Sequence, residues 1–291
     1  MKRLILLCFT FLFFSCEKNI DFDLKESPNV IVVDAEIENG KVPTVVLTSS
    51  FSYYSQLNLQ LLSASFIHDA EVYVSNGVLT HKLKEYAYPL IPGVFGYVYS
   101  IDSASLQTAF VGEFDTEYTL RVLSGGEEYT ASVKIPPLAG VPDSIYFKQA
   151  PFIADTNKKA MFVKAVEPAG LGNYYRYFTK VNSGPYLPGE NSVFNDQVID
   201  GSNYDVQFPQ GIDRNEPPKA DSNFYNRGDT VTFKYCNIDK STYTFWNTWE
   251  FAYQSIGNPF SQPNKVLGNI SNGALGAFCG YAAWFKTVIV K

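Results

Sequence analysis

Histidine is nearly missing from this chain: His68 and His81 are the only two in 291 residues. Catalysis that leans on imidazole has little to work with. No G-x-S-x-G, H-E-x-x-H or zinc-spaced Cys/His pattern occurs. Positive charge is also short, with 23 Lys and Arg against 29 Asp and Glu, a net charge of −6. A surface of that sign does not attract phosphate backbones, which argues against a nucleic-acid partner. Past residue 14 no apolar run approaches the ~20 residues of a spanning helix. The glycine-rich tail lacks the following helix and spaced lysine of a phosphate cradle. Asp196, Asp200, Asn203 and Asp205 carry oxygen ligands but not the spacing of a calcium loop. Arg227-Gly228-Asp229 matches an integrin-binding tripeptide, yet it leads straight into a strand, so a glycine turn is the simpler cause. The paired carboxylates of a glycosidase cannot be read from a sequence, because their separation is a property of the fold. These absences lead us to expect no enzyme activity, no cofactor and no metal.

What is present begins at the N-terminus. Met1-Lys2-Arg3 precedes an apolar run of eleven residues, Leu4 to Phe14. As a helix the run reaches about 16 Å, half of a ~30 Å hydrocarbon core. That suits a secretory h-region and is too short to span. Ser15 and Cys16 follow, and Glu17-Lys18 come directly after. A small residue before cysteine at this place resembles the lipobox of bacterial lipoproteins, although Phe13 and Phe14 are bulkier than the common pattern. The resemblance implies removal of residues 1–15, a lipid on Cys16, and a membrane partner held through that anchor rather than through protein. Stable anchoring takes about two acyl chains. Losing Lys2 and Arg3 would take the net charge from −6 to −8. Residues 16–28 read as a tether. Its acids Glu17, Asp21 and Asp23 resemble export signals that send lipoproteins to the cell surface.

Aromatic residues make up 16% of the chain, with 20 Tyr and 23 Phe, and favour pleated, half-buried surfaces. Residues 30–37 and 43–50 are strand-like. Alternating runs flank Asn76-Gly77 and Gly125-Gly126, the signature of hairpins. We expect a mostly β protein, with an immunoglobulin- or fibronectin-III-like sandwich over 29–137 ended by Pro136-Pro137. Tyr118 sits where those folds place a tyrosine corner. A second β-rich domain is expected over 143–291, with a hairpin at Asp200-Gly201; loops at the ends of the two domains, 51–66, 87–96 and 209–228, are expected to carry contacts. The second domain's one helix is expected over 239–256, N-capped by Asp239 or Ser241 and ended by Gly257. Helical spacing puts Trp246, Trp249, Glu250 and Tyr253 on one face. That face either packs on the sheet or forms an aromatic platform for a ligand or partner, with Glu250 on its rim or held by Arg or Lys. Cys236 and Cys279 remain after lipidation. In an oxidising envelope they either pair, closing a 44-residue loop and stabilising the fold by about 4 kcal/mol, or stay as two buried thiols.

Four stretches carry a wider likeness: "SCEKNIDFDL" with "NVIVVDAEIENG", "DAEVYVSNG", "GEEYTASVKIPP", and "YTFWNTWE" with "NPFSQPNKVLGNISNGALGAFCGY". Together they resemble a domain of unknown function found in outer-membrane lipoproteins of Bacteroidetes. Its members are often encoded beside TonB-dependent receptors. The resemblance implies a lipid-anchored outer-membrane accessory or ligand-binding partner of such a transporter. The alternative is a structural or adhesive lipoprotein without a transporter.

Overall fold

The computed structural model describes residues 30–51, 58–216, 221–258 and 264–291. The expected signal peptide 1–15, Cys16 and the tether lie outside them, as do parts of 51–66 and 209–228.

Period-two alternation builds the first unit. In β1 (Ile31–Glu38), Val33, Ala35 and Ile37 are buried in the core, and Asp34 and Glu36 project from the opposite face. β1 pairs antiparallel with β2 (Thr44–Ser49). β3 (Glu71–Ser75) and β4 (Thr80–Ile91) form the hairpin expected at Asn76-Gly77. Its turn is four residues long. Gly77 takes a φ of 85°, and the Asn76 side-chain oxygen accepts from the backbone N–H groups of Val78 and Leu79. β6 (Thr116–Ser124) and β7 (Glu127–Ile135) are joined by Gly125-Gly126, whose φ values of 60° and 84° suit a two-residue hairpin. The Tyr118 hydroxyl accepts from Glu113 N at 2.7 Å, a tyrosine-corner bond to backbone just upstream.

Residues 87–96 are not an irregular loop. β4 and β5 (Val94–Ile101) pair through this stretch as one long hairpin. The apolar alternation was there to read, but two prolines, Pro89 and Pro92, disguised it; an overhanging ladder tolerates both. The 51–66 segment holds a short helix, α1 (Leu59–Ala64), capped by the Asn58 side chain on Leu61 N.

The second unit comprises β8 (Ser144–Gln149), β9 (Lys158–Val166), β10 (Tyr174–Val181), β11 (Leu187–Asn195), β12 (Asn203–Phe208), β13 (Tyr225–Asn226), β14 (Thr230–Ile238), α2 (Lys240–Gln254) and β15 (Leu275–Ile289). The hairpin expected at Asp200-Gly201 does not form. β12 pairs with β9 instead, and residues 196–202 are a turn organised by Asp196, whose carboxylate accepts from Gly172 N and Asn173 N. Asp200 accepts from Gly170 N, and Asp205 from Tyr146, so these acids hold backbone and neighbours rather than a shared ion.

β15 joins the two units. Its first seven residues pair parallel with β1, and residues 282–289 pair antiparallel with β14. The result is one sheet ordered β11-β10-β14-β15-β1-β2-β5-β4-β3-β6-β7, whose far strand β7 returns against β15. Gly276, at φ 92°, lies so close to the Val33 carbonyl that a Cβ there would collide with it. Three cores result. One fills the first unit around Val33, Leu47, Val72, Leu120 and Phe278. A second, rich in aromatics, lies between the β8–β9–β12 sheet and the inner face of β10 and β14, around Tyr175, Phe233 and Tyr235. The third lies on the outer face of β14 and β15, beneath α2.

Candidate functional site

α2 starts where Asp239 caps it, with its carboxylate accepting from Thr242 N at 2.8 Å. Gly257, at φ 81°, follows its end. The observed span, 240–254, lies within the expected one. Its aromatic stripe is shared: Trp246 packs on the sheet, and Trp249 and Tyr253 meet Arg214 of the 209–216 segment. Trp246, Trp249 and Tyr253 are half-buried. Trp246 Nε1 donates to the Tyr281 hydroxyl at 2.8 Å. Trp249 and Tyr253 stack with centroids 5.4 Å apart.

Two guanidinium groups complete this packing. Arg176 projects from β10 on the face opposite Tyr175 and Tyr177, and only 3% of it is exposed. Its Cζ lies 3.4 Å from the Trp246 ring centroid and 4.7 Å from that of Phe178. Its Nε donates to Ser192 Oγ at 3.1 Å and its Nη1 to the Tyr281 hydroxyl at 2.9 Å. Arg214 comes from the 209–216 segment and lies 4.9 Å from the Trp249 centroid. It donates to Glu250 at 2.8 Å and to the Gly189 carbonyl at 3.0 Å. Glu250 is 4% exposed. It accepts from Arg214 and from both the backbone N–H and the hydroxyl of Ser192. Of the readings open for Glu250, a carboxylate held by arginine is the one realised.

A second charged group lies on the same side of the sheet. Lys234 on β14 bonds the Glu38 carboxylate and is ringed by Phe178, Tyr281 and Phe285 at 4.8, 5.6 and 5.9 Å. Lys41 reaches the other Glu38 oxygen at 2.8 Å. Asp34 and Glu36 share the outer face of β1 with Glu38. Loss of water pushes both carboxyl groups above their ordinary range, opposed by Arg176 for Asp34 and by Lys234 for Glu36. Arg176, Arg214, Ser192, Lys234 and Glu38 were not singled out by sequence. The one visible signal was a charge set inside an aromatic strand, as in "YYRYF".

The remaining candidates resolve as structure. Cys236 and Cys279 are free, buried thiols, and burial pushes each up to about 12. A disulfide is out of reach. Cys236 pairs with Ala283, four residues along β15 from Cys279. That is about 13 Å of strand, whereas a disulfide needs Cα atoms within ~7 Å. His81 is buried, with Nδ1 2.8 Å from Thr108 Oγ1 and Nε2 accepting from Asp102 N, and burial lowers its pKa. His68 bonds Glu85 at 2.7 Å beside Tyr97. Gly228 turns the chain before β14, and Asp229 bonds Asn226 N and Asn182, so the tripeptide serves a turn. Among the described residues no group of three or more His, Cys, Asp or Glu is placed to hold a metal. A cavity of about 340 Å³ lies by Tyr174, Asp196, Lys240 and Tyr243, and Glu250, Arg176 and Lys234 do not line it. Among the described residues no helix is long and apolar enough to cross a membrane.

The fold and site thus define a mostly β protein whose buried charges clamp a helix and a loop onto one long sheet. A family model described as a domain of unknown function (DUF4249) matches residues 17–285, and the chain belongs to that family. No curated protein matches it.

Proposed function

We propose that this protein is a lipid-anchored outer-membrane protein with a non-catalytic role, an accessory or ligand-binding partner of a TonB-dependent transporter in nutrient uptake. One observation supports the non-catalytic part. On the outer face of the sheet, beneath and beside α2, the polar side chains are mutually engaged: Glu250 with Arg214 and Ser192, Arg176 with Ser192, Tyr281 and Trp246, and, away from the helix, Lys234 with Glu38. Such a network holds surface segments in place, and its members are engaged with one another rather than free to act as acid, base and nucleophile on a substrate. It fixes residues 209–216, because Tyr253 also donates to the Arg214 carbonyl at 2.8 Å. A loop held on a rigid sheet is where binding surfaces usually lie. The anchor rests on the apolar run that ends at Ser15-Cys16, and the transporter on the likeness of the four sequence stretches. Affinity purification from native membranes tests the partnership. A stoichiometric outer-membrane β-barrel is the expected result, and its repeated absence removes the transporter. Radiolabelled palmitate on the mature protein tests the anchor.

A further inference from the structure

The β4–β5 hairpin extends past its neighbours. β3 pairs with β4 only from Thr80 to Leu83, and β2 meets β5 at the single pair Val45–Tyr99. Beyond those points, among the described residues, neither strand pairs with a third strand; Phe66 and His68 pack on Tyr97 and His68 bonds Glu85 near the base, and the hairpin runs on to a turn at Pro92-Gly93. This overhang is both apolar and exposed. Leu90 is 43% exposed, and Ile91 and Phe95 each 45%. Tyr86 and Tyr88 are exposed too, and the Tyr88 ring lies over Gly96, which fixes its direction. Glu85 and Asp102 bracket sixteen residues, 86–101, without one charge. α1 contacts β5, carries Leu59 and Leu62 exposed, and is itself uncharged.

The order of side chains along the hairpin is that of increasing depth in a bilayer. Lys82 and Lys84 come first, then Tyr86 and Tyr88, then Leu90 and Ile91 at the tip, with Phe95 opposite. Amphipathic rings favour the membrane interface, aliphatic groups go below it, and lysine stems reach back to water. A protein partner would not require this gradient.

The chain's starting point agrees. Ser49 pairs with Ile31 on β1, and its N–H donates to the carbonyl of Ser65 at the end of α1. Ser50 N donates to the Val30 carbonyl, so the described chain begins next to the end of β2 that meets α1, one part of this exposed apolar surface. Interfacial segments bury to ~5–10 Å. Only thirteen residues, 17–29, separate Cys16 from Val30, so a lipid on Cys16 is joined to this surface by a short stretch of sequence.

We propose that the β4–β5 tip and α1 form a lipid-docking surface, which seats the first unit on the membrane that carries the anchor. The orientation rests on the anchor reading above; the lipid affinity of the tip does not. Flotation with phosphatidylcholine vesicles tests it, using mature protein carrying Cys16→Ser so that no acyl chain contributes. The expected result is vesicle binding that survives high salt and falls about tenfold or more in Leu90→Asp/Ile91→Asp. Both side chains are half-exposed on an overhang, so the variant should keep the parent's unfolding midpoint, which is measured alongside. Absence of vesicle binding by the parent overturns the proposal. So does binding unchanged in the variant, or loss in the variant of a co-purifying β-barrel when the parent does not bind vesicles. Palmitate labelling decides the anchor separately.

Discussion

Replacing Glu250 by alanine is the sharpest test of how α2 is held. The carboxylate is 4% exposed and accepts from Ser192 N, Ser192 Oγ and Arg214. Its removal leaves the Arg214 guanidinium, whose side chain is 11% exposed, with the Gly189 and Glu190 carbonyls and the faces of Trp249 and Tyr253. It also leaves Ser192 N without its acceptor. Breaking one side of a buried ion pair costs about 3–5 kcal/mol, a large part of the ~5–15 kcal/mol that holds a domain folded. Glu250→Gln keeps the shape and one acceptor oxygen, so its cost should be nearer 1–3 kcal/mol, about that of one unsatisfied polar group. Removing both charges in Glu250→Leu/Arg214→Leu should cost less than the sum of the single changes, because no stranded ion remains. Urea unfolding followed by tryptophan fluorescence reads all of these, since Trp246 and Trp249 lie on the helix concerned. A Glu250→Ala midpoint corresponding to less than about 0.5 kcal/mol of destabilisation, or strict additivity in the double variant, would refute the reasoning.

Cys236 and Cys279 should both resist iodoacetamide in native protein and react once it is unfolded, and reductant should leave the melting temperature unchanged. Intact mass two units below that of the dithiol would contradict this. Asp34 and Glu36 have folded-state pKa values raised by desolvation, so the folded state binds their protons more tightly than the unfolded state does. The penalty from these two groups is full above their folded pKa values. It is relieved as pH falls through them, and gone below the ordinary ~4 of free carboxyl groups. Both side chains are exposed, so solvent screens much of this penalty; Glu36→Gln should raise the melting temperature at pH 7 only slightly and lose that advantage as pH approaches ~4; an equal gain at every pH is the contrary result. Gly276→Ala forces a Cβ toward the Val33 carbonyl at positive φ, and should destabilise by at least about 1–3 kcal/mol in a chemical melt. A neutral outcome would mean that the seam between β1 and β15 is not tight.

Much of the fold was legible because its causes are local. Alternation in "VVDAEI" separates Val33, Ala35 and Ile37 from Asp34 and Glu36, and strand pairing then needs only neighbours. Asn76-Gly77 and Gly125-Gly126 turn the chain through backbone freedom that few residues have. Asp239 caps and Gly257 ends α2 within one turn of sequence. Asp200-Gly201 carried the same signal and misled, because β9 outcompeted the local partner for β12. The helical period also put Trp246, Trp249, Glu250 and Tyr253 on one face, but a period cannot say what the face meets.

The sequence by itself determined the β class, the hairpins around the first core, the capped aromatic helix and the poverty of catalytic groups, since each depends on residues a few positions apart. Tertiary structure alone decided that β15 serves both units, that Arg176 and Arg214 close over the helix, that the two thiols stay apart, and that the apolar hairpin stands clear of the sheet. The physical reason is distance along the chain. Glu250 meets Ser192 across 58 residues, and Lys234 meets Glu38 across 196. Contacts of that span are set by the register of a whole sheet, and no local preference encodes them.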